Sequence, residues 1–254
     1  MIMIFLKEIV QNFLLGIPVI KRLVWKSHTT GINNDPEKVS VLWNQIITQT
    51  SIDGKKVLEI GPGRTDSLLH LAQNANAEKV FAIDVYEYLN KKELANTGIK
   101  YCIYDGKQMP FENDFFDVVW SNDTFEHLKF PEITVNELSR ILKNDGIAII
   151  NIDLRDHYSQ GKPENTIFNC LRYPEWLWKL MTSNRSAFVN RLRYSEWLKL
   201  FSDAGLEVNQ KIIKQSDVIL KCYKNNELPY LKPCSETDAI TTYLSIIVRK
   251  SIFD

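Results

Sequence analysis

Three acidic residues, Glu59, Asp84 and Asp105, follow one another along the first half of the chain, each at or near the end of a short apolar run. The first precedes Gly61 and Gly63, which lack a Cβ, so the backbone can turn sharply and an extended ligand can lie against its amide groups. A carboxylate placed like Asp84, at the end of a second strand, can accept hydrogen bonds from both hydroxyls of a ribose. The pattern predicts a site for a nucleotide-like ligand.

The glycine turn differs from the fingerprint of nicotinamide-binding proteins. That fingerprint has a third glycine, which would fall at position 66, where this chain has Asp66. A Tyr-x-x-x-Lys dyad in a suitable place is also absent from the sequence. An NAD-dependent oxidoreductase or nucleotide-sugar epimerase is therefore a disfavoured alternative.

Alternating strand and helix patterns place these residues in a common framework. Alternation of this kind up to about residue 154 is typical of a parallel sheet with helices on both faces. After an aromatic-rich insertion at about 155–193, a helix from Tyr194 to Ala204 precedes two final strands. The predicted strands cover residues 57–60, 79–83, 99–103, the end of 109–122, 146–152, 206–213 and 239–248.

Four segments of the chain resemble the class I S-adenosylmethionine-dependent methyltransferases, in particular the subgroup that acts on small molecules. The likeness covers residues 51–155 well and the end of the chain more loosely. The third segment is the most specific, because a proline-led loop, a Phe-Asp pair, a strand and then Glu-His-Leu form an unusual combination. The segments are VLEIGPG (57–63), FAIDV (81–85), MPFENDFFDVVWSNDTFEHL (109–128) and LSRILKNDGIAIINI (138–152).

The resemblance implies a Rossmann-like α/β fold with a seven-stranded, mostly parallel sheet that ends in an antiparallel hairpin. It implies S-adenosylmethionine as the cofactor. The residues expected to bind it are Glu59, Gly61, Pro62 and Gly63 at the methionine end, Asp84 and Val85 at the ribose, Asp105 and Gly106 at the adenine, and Ser121 and Asn122 along the methionine or the methyl path. The family often has a third glycine where this chain has Thr65, which we interpret together with Asp66 as the start of the next helix.

Methyl transfer to a hydroxyl oxygen requires that a proton leave, so a general base is useful, whereas an amine or thiolate acceptor needs none. His157 is the first candidate base because it follows the fifth strand, at the edge where open α/β sheets bind ligands. Either Asp156 or Asp153 could orient its imidazole. His127, beside Glu126, is the second candidate. The alternative is that both histidines only contact substrate or make local hydrogen bonds.

The insertion contains arginines and aromatic residues, which match phosphates, carboxylates and sugar rings. From this set we expect Tyr158, Arg191 and Arg193 to bind the acceptor. Residues 168–197 also resemble a segment of methyltransferases associated with bacterial surface-polysaccharide assembly. A phosphorylated or lipid-linked saccharide is therefore the leading expectation for the acceptor. Buried aromatics beside a solvated helix face are the structural alternative.

Composition narrows the function further. The 254 residues carry a net charge of +0 and 44% are hydrophobic, so the chain can form one large domain and has no bulk field favouring nucleic acid. Four cysteines without a CxxC pair disfavour a disulfide framework or a metal site and favour the cytoplasm. We therefore expect residues 51–254 to form the methyltransferase domain, after a helical extension at 1–50.

The first 26 residues have apolar side chains at helical spacing and a charge of +3, from four basic residues and Glu8. The apolar run is too short and too interrupted for a membrane span or a signal peptide. The stripe either packs on the domain or across a homodimer, or it rests on a membrane surface with its basic residues near lipid head groups. A further alternative for the whole chain is a cofactor-binding regulatory partner that transfers no methyl group.

Overall fold

The computed structural model of the chain describes residues 2–25, 35–157, 168–185, 188–232 and 234–250. Seven strands alternate with helices through most of this part of the chain. The strands are β1 (Lys56–Ile60), β2 (Lys79–Asp84), β3 (Lys100–Ile103), β4 (Phe116–Asn122), β5 (Leu142–Asp153), β6 (Leu206–Gln215) and β7 (Thr241–Lys250). The helices are α1 (Ile2–Leu15), α2 (Pro18–Trp25), α3 (Pro36–Ile47), α4 (Ser67–Asn74), α5 (Lys91–Asn96), α6 (Pro131–Ile141), α7 (Glu175–Thr182), α8 (Tyr194–Asp203), α9 (Asp217–Lys224) and α10 (Glu236–Ile240).

The seven strands form one sheet in the order β3-β2-β1-β4-β5-β7-β6. The pairs among β1 to β5 are parallel. At the other edge, Ser216 N donates to Ile240 O, and Thr242 Oγ1 donates to Lys214 O. The residue numbers of the paired positions rise along one strand and fall along the other, as they do in antiparallel strands. The predicted Rossmann-like fold with an antiparallel final hairpin is confirmed.

Contacts within the chain divide it into two compact units. The larger unit comprises the described residues within 30–152, 196–212 and 244–254. The smaller unit comprises those within 1–29, 153–195 and 213–243. The predicted boundary at residue 50 and the insertion at 155–193 stay predictions.

One apolar cluster of the larger unit lies against one face of the sheet. Because β1, β4 and β5 are parallel strands covered by helices, most of their side chains are apolar on both faces, as expected for the interior of such a sheet. Val57, Val118 and Ile147 share one face with Trp120 and Ile149. Helix α3 covers that face with Leu42, Trp43 and Ile46. It begins at Asp35, whose side chain accepts a hydrogen bond from Glu37 N and thereby caps the first turn.

The smaller unit has a separate apolar core that includes Phe168, Trp178, Val189 and Ile219. Trp178 Nε1 donates to Val189 O at 3.0 Å, so the indole is buried with its polar atom satisfied. Helices α9 and α10 belong to this unit and were not predicted from the sequence. Ser216 and Ser235 cap them, and the second forms a capping box with Asp238.

Helix α1 packs on α7 through its polar side. Asn12 is buried, with Nδ2 donating to Leu180 O at 2.9 Å and Oδ1 accepting from Asn184 N at 2.8 Å. Glu8 pairs with Arg185 at 2.6 Å. The opposite side of α1 carries the apolar stripe, whose exposed fractions are 60% at Leu6, 47% at Val10, 71% at Phe13 and 40% at Leu14. These four apolar side chains are therefore exposed in the described part of the chain.

Among the residues that the structure describes, no helix combines the length and the apolar character that a membrane crossing requires.

Candidate functional site

The turn after β1 requires glycine at Gly61. Its φ is +73°, and a Cβ at this position would lie 2.4 Å from atoms of Thr124. Both features exclude a side chain, because L residues rarely adopt this φ and no Cβ tolerates such a contact. Gly61 N donates to Ile83 O at 2.9 Å, and Ser121 Oγ donates to Ile60 O at 2.8 Å. The turn is thus held between the ends of β2 and β4.

Glu59 is a buried carboxylate two residues before this turn. Burial raises its pKa to about 8, and nearby Asp66 and Asp84 add to the rise, while the Trp120 indole opposes it. Its Oε2 is buried and makes no hydrogen bond of good geometry with a described residue. A cationic ligand next to this buried carboxyl group would favour its ionised form.

Asp84 ends β2 beside Glu59. Burial raises its pKa to about 6, and hydrogen bonds from backbone amides oppose the rise. Those amides are Val85 N at 2.7 Å and Tyr86 N at 3.4 Å on Oδ1, and Gly63 N at 3.4 Å on Oδ2. The side chain is therefore fixed against the glycine turn, as sequence reasoning placed it.

Asp105 and Gly106 follow β3. Asp105 Oδ1 accepts from Lys107 N at 2.8 Å and Gln108 N at 3.2 Å, so this oxygen shapes its own loop. Gly106 has a φ of +79°, and a Cβ there would lie 3.4 Å from Val85 Cγ1. Val85 is exposed after β2. This contact brings together the two loops from which the adenine and ribose contacts were predicted.

A comparison with known protein families matches the segment of the chain that carries these residues. The family described as "Methyltransferase domain" matches residues 58–150, which span β1 to β5 and the acids at their ends. The chain therefore contains a methyltransferase domain, and its fold is that of the class I S-adenosylmethionine-dependent methyltransferases. It is an enzyme, and its cofactor is S-adenosylmethionine.

The chain is also similar to two curated proteins and to solved structures. An uncharacterised protein of Methanocaldococcus jannaschii is 27% identical over 70% of this chain and 82% of its own length. A sarcosine/dimethylglycine N-methyltransferase of Aphanothece halophytica is 30% identical over 37% of this chain and 36% of its own length. The solved structure of an S-adenosylmethionine-dependent methyltransferase of Mesorhizobium loti has a TM-score of 0.57 at 16% identity, covering 82% of this chain and 97% of that chain.

The observed residues fit this cofactor. S-adenosylmethionine carries positive charge at its sulfur and at its amino group, and the orphan oxygen of Glu59 is a buried acceptor for such charge. Asp84 and the exposed Val85 side chain suit a ribose and an adenine. The individual site assignments stay predictions.

The loop after β5 holds the predicted base of the methyltransferase. Asp153 Oδ2 lies 3.6 Å from His157 Nε2 and 2.6 Å from Arg155 Nη2, and Arg155 Nε also donates to Asp153 Oδ1 at 2.8 Å. Burial raises the pKa of Asp153, but the hydrogen bonds and charges of His157 and Arg155 outweigh it, and the net pKa lies well below its usual range. Asp153 is therefore a fixed anion beside the imidazole.

Asp156 and His127 are the other two predicted catalytic residues. Asp156 is buried, and its charge helps burial to raise the pKa of the Cys170 thiol to about 12. Asp153, the other candidate carboxylate, lies 3.6 Å from the imidazole. The catalytic role of Asp156 stays a prediction. His127 lies in a 3-10 helix after β4, with its Nε2 3.9 Å from the buried Glu126.

The predicted acceptor-binding residues divide into three cases. Tyr158 lies outside the described residues. Arg191 donates to Tyr230 O at 3.3 Å. Arg193 is buried, with its guanidinium 4.2 Å from the Phe168 ring centre and its nitrogens donating to the backbone oxygens of residues 154, 238 and 241. These contacts favour a structural role for Arg193 over the substrate contact expected from the sequence.

Sequence reasoning did not identify Gln45 or Asn151. Asn151 lies within an otherwise apolar strand, and Gln45 lies on the face of α3 that covers it. Buried amides must find hydrogen-bond partners, so an asparagine in such a strand was a signal for a polar contact nearby. The partner itself could not be found without the fold.

The raised pKa of Glu59 makes cofactor binding depend on pH. Between pH 6.5 and about 8 much of the cofactor-free protein holds a proton on Glu59, and a cationic cofactor favours the release of this proton. Affinity for S-adenosylmethionine should therefore rise between pH 6.5 and 8, by up to about tenfold per pH unit. Glu59→Gln should bind more weakly and lose this slope, as measured by calorimetry in buffers of different ionisation enthalpy.

The control for this experiment is Asp66→Asn, since the Asp66 side chain is half-exposed and contributes only part of the rise in the pKa of Glu59. That variant should keep the slope. A slope that survives in Glu59→Gln would show that another group takes up the proton.

The raised pKa of Glu59 also affects the stability of the cofactor-free protein. The free energy of unfolding should fall as the pH rises from 4.5, the ordinary pKa of a glutamate, to about 8, because Glu59 ionises at a lower pH in the unfolded chain.

Proposed function

We propose that this methyltransferase transfers the methyl group to a hydroxyl oxygen of a small-molecule or glycan acceptor. The observation that carries the proposal is the pair formed by His157 and Asp153 after β5, with 3.6 Å between Nε2 and Oδ2. A hydroxyl must lose its proton as the new C–O bond forms, and imidazole is the most frequent general base in enzymes. An amine acceptor would not require such a pair.

The roles of the residues follow from their positions. When bound, S-adenosylmethionine supplies an electrophilic methyl group on a positively charged sulfur. His157 accepts the proton of the acceptor hydroxyl and then releases it to solvent. Asp153 stabilises the imidazolium, and Arg155 holds Asp153 in place with two side-chain hydrogen bonds. Orientation of the reacting groups supplies the rest of the rate enhancement.

The cofactor residues of the proposal are those predicted from the sequence. Glu59 and the Gly61-Pro62-Gly63 turn hold the methionine end, with Ser121 and Asn122 along it. Asp84 and Val85 hold the ribose, and Asp105 with Gly106 hold the adenine. Arg191 and Tyr158 remain candidates for the acceptor.

Replacing the proposed base should slow methyl transfer without removing the cofactor. His157→Gln should lower the turnover by about 10²–10⁴-fold, the usual contribution of a general base. Transfer of labelled methyl from S-adenosylmethionine to fractions of small polar metabolites and lipid-linked saccharides would be measured, with cofactor affinity followed by calorimetry. The matched control is His70→Gln, since His70 contacts only Asp66 and Gln73 in the described hydrogen bonds and ion pairs. Wild-type turnover in His157→Gln would contradict the proposed base.

We also propose that the apolar stripe of α1 rests on an anionic membrane, where a lipid-linked saccharide would be found. Four exposed apolar side chains face away from α7, and Val19, Leu23 and Trp176 of the same unit are also exposed. The adjoining charge is basic in sequence, since Lys7, Lys21, Arg22 and Lys26 outnumber Glu8, and Arg185 neutralises Glu8. Apolar side chains flanked by basic residues suit an anionic interface.

Vesicle binding tests this surface. The full chain should float with vesicles containing phosphatidylglycerol, and Leu6→Asp/Phe13→Asp should lower binding at least tenfold while leaving cofactor affinity unchanged. The control is Val41→Asp, an equally exposed apolar position on α3. Failure of the wild-type chain to bind, together with a dimer that the double variant dissociates, would assign the stripe to a homodimer instead.

A further inference from the structure

A chain of amide side chains connects α3 to the end of β4. Gln45 Nε2 donates to Asn151 Oδ1 at 3.2 Å, and Asn151 Nδ2 donates back to Gln45 Oε1 at 2.9 Å. Gln45 Nε2 also donates to Ser245 Oγ at 2.7 Å, and Asn151 Nδ2 donates to Asn122 Oδ1 at 2.8 Å. All four residues belong to the larger unit.

These bonds decide which atom Asn122 offers to a ligand. A side-chain amide has one acceptor oxygen and one donor nitrogen, and neighbouring hydrogen bonds determine which way it points. Because Asn151 donates to Oδ1, Asn122 turns Nδ2 the other way. That Nδ2 is buried, and none of the described residues accepts a hydrogen bond from it. A ligand oxygen is the group that would accept a hydrogen bond from this nitrogen, because a buried donor without an acceptor raises the free energy of the protein.

Asn122 shares a sheet face with Glu59. In the parallel pairing of β1 with β4, Glu59 lies opposite Trp120, and Asn122 follows two residues later. Side chains at alternate positions of a strand point to the same face. One face therefore presents a buried carboxylate and, further along, an amide donor. The amino-acid end of S-adenosylmethionine carries a cationic amino group and an anionic carboxylate, which match this pair.

We propose that Asn122 Nδ2 binds the carboxylate of the cofactor's amino-acid end, and that Gln45 is a positioning residue that holds Asn122 in this orientation through Asn151. The proposal rests on the proposed placement of the methionine end beside Glu59. It gives α3, which precedes the segment matched to the family, a role in cofactor recognition. Without Gln45, Asn151 loses one partner for each of its amide atoms, and the direction of the Asn122 amide is no longer fixed.

Two adenosine compounds separate this role from a structural one. S-adenosylhomocysteine retains the amino-acid end, whereas 5′-methylthioadenosine lacks it. Gln45→Leu should weaken S-adenosylhomocysteine binding by about threefold to tenfold and leave methylthioadenosine binding unchanged, as expected for a misplaced hydrogen bond to a charged group. Asn122→Asp should lower S-adenosylhomocysteine affinity more than tenfold, since two carboxylates would then face each other. Calorimetry on the full chain measures both affinities.

The ratio of the two affinities is the decisive quantity, because a reduced folded fraction affects both compounds equally and cancels. Asn44→Leu, an exposed amide deletion on the same helix, should leave the ratio unchanged. A ratio unchanged in Gln45→Leu would show that Gln45 only stabilises the fold and would overturn the proposal. If the wild-type chain bound neither compound, the cofactor site itself would be misplaced, and the proposal would fail with it.

Discussion

Burial of two carboxylates at adjacent strand ends is the constraint on which the rest of the site depends. Glu59 and Asp84 lie on one sheet face, and desolvation raises the pKa of each, to about 8 and about 6. The burial of these two carboxylates lowers the free energy of unfolding of the cofactor-free protein at neutral pH. A ligand that brings positive charge and ribose hydroxyls relieves this cost, so the same feature that strains the free protein favours its cofactor.

The glycine turn and the amide network serve that arrangement. Gly61 allows Thr124 of the segment after β4 to pack against the end of β1, which brings Asn122 toward the same edge. Helix α3 packs its apolar side chains on this face and adds Gln45 to the network at its end. The proposed cofactor residues thus lie in the larger unit, and the smaller unit carries His157, Asp153 and the exposed stripe of α1.

Much of this could be predicted from the sequence, for identifiable physical reasons. Strands β1, β2 and β4 are continuous apolar runs, so their ends and the acids at those ends were visible. The sequence could not predict which way the apolar stripe of α1 faces. Helical spacing shows which side of a helix is apolar, but it cannot show that Asn12 and Glu8 attach the opposite side to α7. Arg193 resembled a substrate contact in sequence, yet its donors meet backbone oxygens brought together only by folding. Likewise, the sequence could not show that Asp153 lies 3.6 Å from the His157 imidazole.

Binding of S-adenosylmethionine to Asp84→Asn is the most direct measurement of the central claim. The amide nearly preserves the shape of the side chain and removes the negative charge, while Asp53→Asn, in an exposed loop, controls for a general charge effect. We expect calorimetry to show affinity at least tenfold weaker for Asp84→Asn and unchanged for Asp53→Asn. Equal affinity in the wild type and in Asp84→Asn would contradict the placement of the cofactor at this sheet edge.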